Sequence, residues 1–104
     1  MEYILVWEFR VRPEARDAFE QLYGPEGAWV KLFREAPGFR GTELLRDEKD
    51  PGRYLTLDRW ESPASYAAFR EHRAADYQAI DQLGEGLTAH ERFLGEFDVA
   101  ATRI

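Results

Sequence analysis

Two stretches of this chain follow one plan, and nothing else in it limits the fold so strongly. Trp7-Glu8 lies in an alternating segment followed by Pro13 and, six residues on, Phe19; Trp60-Glu61 ends a second alternating segment followed by Pro63 and, six residues on, Phe69. Apolar residues at period two make a strand with one buried face, and a proline is tolerated in the first turn of a helix. The chain therefore reads as two halves, each running from a strand into a helix.

The remaining elements fill in around this repeat. From Tyr3 to Val11, Tyr3, Leu5, Trp7, Phe9 and Val11 share one face, and Ile4, Val6, Glu8 and Arg10 share the other. Ala15, Phe19, Leu22 and Tyr23 recur at helical spacing until Gly24-Pro25 interrupts them. A second helical piece carries Trp29, Leu32, Phe33 and Ala36 and ends at Pro37-Gly38. Thr42 to Arg46 is a second strand, and Arg53 to Glu61 a third. The Asp50-Pro51-Gly52 turn between them makes the pair a hairpin. In the third strand Tyr54, Thr56, Asp58 and Trp60 lie on one face, Leu55, Leu57 and Arg59 on the other.

Ser62-Pro63 is a cap followed by proline at the first helical position. Tyr66, Phe69, Arg73, Tyr77, Ile80 and Leu87 then mark a long amphipathic helix, with a break expected near Ala74 and fraying at Gly84 and Gly86. Thr88-Ala89-His90-Glu91 reads as a capping box for one last turn. Leu94 to Ala101 is expected to be the fourth strand. The order βαββαβ is the split βαβ of a ferredoxin-like α+β fold with a four-stranded antiparallel sheet. At 104 residues the whole chain, 1–104, is expected to be one domain.

Helices on one face leave the other face of such a sheet open. That face would carry Ile4, Val6, Leu55 and Leu57 among Glu8, Arg10 and Arg59. Burying each of the four apolar side chains is worth roughly 1.5–3 kcal/mol. The simplest cover is the same face of a second copy, giving a homodimer in the form of a dimeric α/β barrel.

Composition removes several classes of function. The chain has no cysteine, which excludes disulfides, thiolate nucleophiles and Cys-ligated metals. His72 and His90 are too far apart for a helical ligand pair, so no metal site is expected. The net charge is −6, with bases interleaved among acids, which argues against nucleic acid or an anionic membrane as a partner. No segment approaches the ~20 apolar residues of a membrane helix, and Met1 is followed almost at once by strand-like sequence. The expected location is the cytoplasm.

Three stretches carry a resemblance to a known family. They are Val6-Trp7-Glu8-Phe9-Arg10-Val11-Arg12-Pro13, then Ala36-Pro37-Gly38-Phe39-Arg40-Gly41-Thr42-Glu43-Leu44-Leu45, then Arg59-Trp60-Glu61-Ser62 continuing through Tyr66 and Phe69. In these the chain resembles the antibiotic biosynthesis monooxygenase (ABM) domain family over nearly its whole length. The resemblance implies a cofactor-independent monooxygenase, using neither metal nor flavin, that acts on a small aromatic or quinol-like substrate between sheet and helices. The substrate itself, once deprotonated, supplies the electrons to dioxygen. The alternative is a non-catalytic or regulatory barrel that binds a small apolar or aromatic molecule.

Carried over residue by residue, the polyketide-oxygenase branch places its Trp at Trp60 and its Tyr at Tyr66, but its Asn falls on Thr56. The heme-degrading branch would need Asn, Trp and His where this chain has Phe9, Phe69 and Ala79, so heme degradation is not expected.

Each candidate has a simpler alternative. Trp60 could stack on a substrate ring or be a core aromatic. Tyr66 could donate its phenol proton or only pack. Phe69 is an apolar wall, with Tyr54 and Thr56 on the same side of the sheet. Asp58, partly desolvated there, could be a general base; the favoured alternative is an ion pair with Arg70 or Arg73. His72 is the one imidazole near the pocket helix but lies off the buried stripe. Trp7 and Trp29 read as core.

Overall fold

The structure, a computed structural model, describes residues 2–101. Strand β1 (Tyr3–Val11) runs through a single turn of 3₁₀ helix (Pro13–Ala15) into α1 (Arg16–Tyr23) and α2 (Ala28–Arg34). The hairpin β2 (Phe39–Arg46) and β3 (Arg53–Trp60) follows, then α3 (Pro63–His72), α4 (Ala74–Gly84) and β4 (Thr88–Asp98). The four strands form one sheet in the order β2-β3-β1-β4, with every neighbouring pair antiparallel. This is the expected ferredoxin-like α+β arrangement. No helix among the described residues is long and apolar enough to cross a membrane.

Local chemistry sets the turn that begins the second half. Ser62 Oγ accepts the Ser65 backbone N–H at 3.1 Å, and Pro63 takes the first helical position. The Glu61 N–H bonds the Gly38 carbonyl at 2.7 Å, tying the start of β2 to the end of β3. Gly38 has φ +89°, and a Cβ there would come within 2.6 Å of Ser65 Oγ, so glycine is required on both counts.

The helix expected to break near Ala74 breaks at Arg73 (φ −119°, ψ 29°). The Arg73 guanidinium holds Glu35 at 3.0 Å and Asp76 at 2.8 Å, and so pins the break to α2 and α4.

The C-terminal expectation needs correcting. Thr88-Ala89-His90-Glu91 is not a helical turn but the start of β4, which begins six residues before Leu94 and ends at Asp98. A bulge hides this in the sequence. Trp7 pairs with Phe93 and Val6 with Gly95, which leaves Leu94 over. Phe93 therefore faces the helices, 4.9 Å from Trp7 between ring centres, while Phe97 is placed opposite Ile4 on the open face. Two aromatics four apart should share a face; one extra residue puts them on opposite sides.

Two clusters form the core between sheet and helices. One joins Leu5, Trp29, Leu32, Phe33, Trp60 and Phe69; the other joins Phe9, Val11, Ala15, Phe19 and Tyr54. The open sheet face is more apolar than the sequence reading has it. Register adds Leu45, opposite Leu55, and Phe97, which are 41% and 52% exposed. Ion pairs from Glu8 to Arg53 and Arg92 and from Arg59 to Glu43 lie among them.

Candidate functional site

The four residues on the helix-facing side of β3 divide between core and cavity. Tyr54, at one end, is 1% exposed and packs on Phe19, with its hydroxyl bonded to Glu20. Trp60, at the other end, is fully buried with Phe33, Phe39, Tyr66 and Phe69 all within 5.0–5.6 Å of its ring centre. Between them, Thr56 and Asp58 line a cavity of about 240 Å³.

The cavity lies between sheet and helices, where the resemblance expects a site. Trp7 and Phe9 of β1, Trp29 and Phe33 of α2 and Tyr77 of α4 give it aromatic walls. Thr42 enters from β2, directly opposite Asp58 in the ladder. Tyr23 closes it from α1. Arg70, Asp81 and Glu91, all exposed residues, form its rim.

Asp58 is the chemically distinctive group. Among the described residues its one hydrogen bond comes from Thr42 Oγ1, which donates to Oδ1 at 2.5 Å. Among the described residues no guanidinium bonds it. Arg73 is engaged by Glu35 and Asp76, and Arg70 donates to the Tyr66 hydroxyl at 3.1 Å while stacking 3.9 Å above the Tyr77 ring. The expected ion pair with Arg70 or Arg73 is therefore absent, and the electrostatic consequence reverses. Burial pushes the Asp58 carboxyl up to about 6, with the Thr42 hydrogen bond opposing it only in part. A carboxylate tuned to this range can take a proton from a weakly acidic ligand and release it again near neutral pH.

The rim carries negative charge. The Glu91 carboxyl is raised, first by burial and then by Asp81 and Glu85. The Tyr23 phenol is raised by burial and then by Glu91, and the Tyr77 phenol mainly by burial. Trp29 is 6% exposed; its indole N–H is sealed from solvent, and its hydrogen-bond effect on Tyr23 partly offsets the rise of that phenol. Among the described residues, no three His, Asp or Glu side chains are grouped to hold a metal.

Of the residues singled out in sequence, the cavity brings together only Thr56 and Asp58. Trp60, Tyr66, Phe69, Tyr54 and His72 are not among the residues that line it. Trp60 and Phe69 are core, and Tyr66 packs on Trp60 at 5.4 Å. Tyr54 belongs to the other core cluster, and His72 is exposed on the last turn of α3. Trp29 is core, as read, and also lines the cavity; Trp7 packs against the other core cluster and lines the cavity too. Thr42, Tyr23, Tyr77, Asp81 and Glu91 were not among the candidate site residues, and Arg70 was expected only as an ion-pair partner of Asp58. Thr42 was within reach, since the hairpin turn sets the register that puts it opposite Asp58.

Comparison with known families decides the affiliation. The sequence model of the antibiotic biosynthesis monooxygenase family matches residues 2–80. The chain belongs to the antibiotic biosynthesis monooxygenase family. Solved structures agree on the fold. A candidate family member from Nitrosomonas europaea superposes with a TM-score of 0.74 at 18% identity, covering 95% of this chain and 99% of that one. SnoaB, a cofactor-independent oxygenase from Streptomyces nogalater, gives 0.72 at 18% identity over 97% and 95% of the two chains. A further candidate family member, from Chloroflexus aurantiacus, gives 0.69 at 23% identity over 99% and 97%. A search of curated proteins found no match.

Proposed function

We propose that the cavity is the active site of a cofactor-independent monooxygenase acting on a small phenolic or quinol-like ring, and that Asp58 is its general base. The observation that carries this is a buried carboxylate without a cationic partner, raised to about 6, at the wall of an aromatic cavity. The phenol hydroxyl gives its proton to Asp58, and the electron-rich phenolate reduces dioxygen. One phenol and one dioxygen yield one quinone and one water: the ring loses four electrons, gains one oxygen atom, and the other leaves as water. The Thr56 hydroxyl, which lines the same cavity, is a donor available to the substrate oxygen. At about 240 Å³ the cavity is smaller than the about 300–1,000 Å³ of sites for drug-sized ligands, which favours one or two rings. The likeness to SnoaB supports the reaction class.

We also infer that the protein acts as a homodimer, with the open sheet face as its interface. The mixed apolar and ion-paired surface there supports this.

A second reading is binding without turnover. Thr56 stands where the polyketide-oxygenase branch has Asn, and Trp60 and Tyr66 are held away from the cavity. Oxygen uptake separates the two readings. With one- and two-ring phenols and quinols, the oxygenase reading expects one dioxygen consumed per quinone formed, and a loss of about 10²-fold or more in Asp58→Asn. Saturable binding without oxygen uptake would overturn it in favour of the second reading.

A further inference from the structure

The cavity does not treat charge evenly. Three carboxylates border it, Asp58 inside and Asp81 and Glu91 at the rim, against one guanidinium, Arg70. That guanidinium is already committed: it lies 3.9 Å over the Tyr77 ring and bonds the Tyr66 hydroxyl. The Glu91 carboxyl is raised first by burial and then by the charges of Asp81 and Glu85, so a cation seated at the rim would offset both the desolvation and the repulsion. The walls add to this bias. Faces of Trp and Tyr attract cations, and Trp29 and Tyr23 line the same cavity as the acidic rim. A carboxylate or phosphate on a ligand would meet the same groups as repulsion.

A second requirement comes from the cavity wall. Asp58 lines it and, among the described residues, takes one hydrogen bond, from Thr42, which leaves its carboxylate to accept from a ligand hydroxyl.

We propose that the pocket selects a hydroxylated aromatic amine: a ring whose hydroxyl reaches Asp58 and whose ammonium group sits at the rim between Asp81 and Glu91. This rests on the cavity being the ligand site, as above, but not on the oxygen chemistry. The ring fills the apolar middle, the hydroxyl meets the buried polar groups, and the charge stays where water still reaches it. An uncharged phenol satisfies the first two requirements only.

Three phenols of matched shape test it by calorimetric titration of the purified protein near neutral pH: tyramine (ammonium), 4-ethylphenol (neutral) and 4-hydroxyphenylacetate (carboxylate). The expected order is tyramine tightest and 4-hydroxyphenylacetate weakest, with about a tenfold advantage of tyramine over 4-ethylphenol. Asp81→Asn and Glu91→Gln, both at exposed positions, should each reduce the ratio of tyramine to 4-ethylphenol affinity. Equal binding of tyramine and 4-ethylphenol, tighter binding of 4-hydroxyphenylacetate, no binding of any of the three, or an advantage undiminished in both variants would overturn the proposal. Oxygen uptake recorded with the same compounds keeps the two readings apart. Tyramine preference without uptake sinks the oxygenase and leaves this inference standing; uptake without the preference does the reverse.

Discussion

Replacing Asp58 with Asn should stabilise the protein, and do so in a pH-dependent way. In the unfolded chain the carboxyl titrates near its ordinary value of 3.8, and in the folded protein burial moves it to about 6. Well below 3.8 it is protonated in both states and contributes no difference. Between 3.8 and 6 the folded protein holds a proton that the unfolded chain has released, so stability falls as pH rises. Above 6 the folded protein carries the full cost of an ionised, buried carboxylate. At 1.36 kcal/mol per tenfold change in acidity that cost is about 3 kcal/mol at pH 8, and it shrinks to about 1 kcal/mol at pH 4.5.

Asparagine stays neutral throughout and can still accept from Thr42. The stability difference between Asp58→Asn and wild type should therefore grow by about 2 kcal/mol from pH 4.5 to pH 8. Each kcal/mol amounts to about 4–8 °C in melting temperature for a domain of this size. Urea denaturation at both pH values, at one fixed protein concentration so that assembly does not enter the comparison, measures it. Thr42→Val should do the opposite. It removes the hydrogen bond that favours the ionised form and should destabilise more at pH 8 than at pH 4.5. A pH-independent Asp58→Asn difference, or one that shrinks as pH rises, would refute the assignment of Asp58 as a buried, unpaired carboxylate.

Leu57→Asp should release monomers, because its side chain lies on the open sheet face and an unpaired charge buried there costs several kcal/mol; sedimentation that still shows a dimer places the interface elsewhere. A phenolic ligand should change tryptophan fluorescence, and Trp29→Phe should remove more of that change than Trp60→Phe, since Trp29 lines the cavity and Trp60 is sealed in the core; the reverse order would mean that the ligand binds at the β3–α3 corner.

Alternation, proline and glycine chemistry belong to the chain itself, and they determined most of the fold. Period two marked β1 and β3, Ser62-Pro63 marked the start of α3, and Asp50-Pro51-Gly52 marked the hairpin, each through interactions a few residues long. The same alternation placed Thr56 and Asp58 on the inner face of β3, so the two polar groups from that strand were legible from the residues alone. What lay beyond local reach was decided by packing. The bulge at Leu94 shifts the phase of β4, and only pairing with β1 reveals where that strand begins. Whether an inward residue becomes core or cavity wall depends on what the helices place against it. Phe33, Phe39, Tyr66 and Phe69 close over Trp60, while Trp7 and Trp29 stand apart around Asp58. Asp58 was open to two fates in the sequence, ion pair or lone carboxylate, because Arg70 and Arg73 were both at plausible spacing. Tertiary contacts took both away, Arg73 to Glu35 and Asp76 and Arg70 to Tyr66 and the Tyr77 ring, and a side chain's partner is set by where its competitors lie in space, which no spacing along the chain contains.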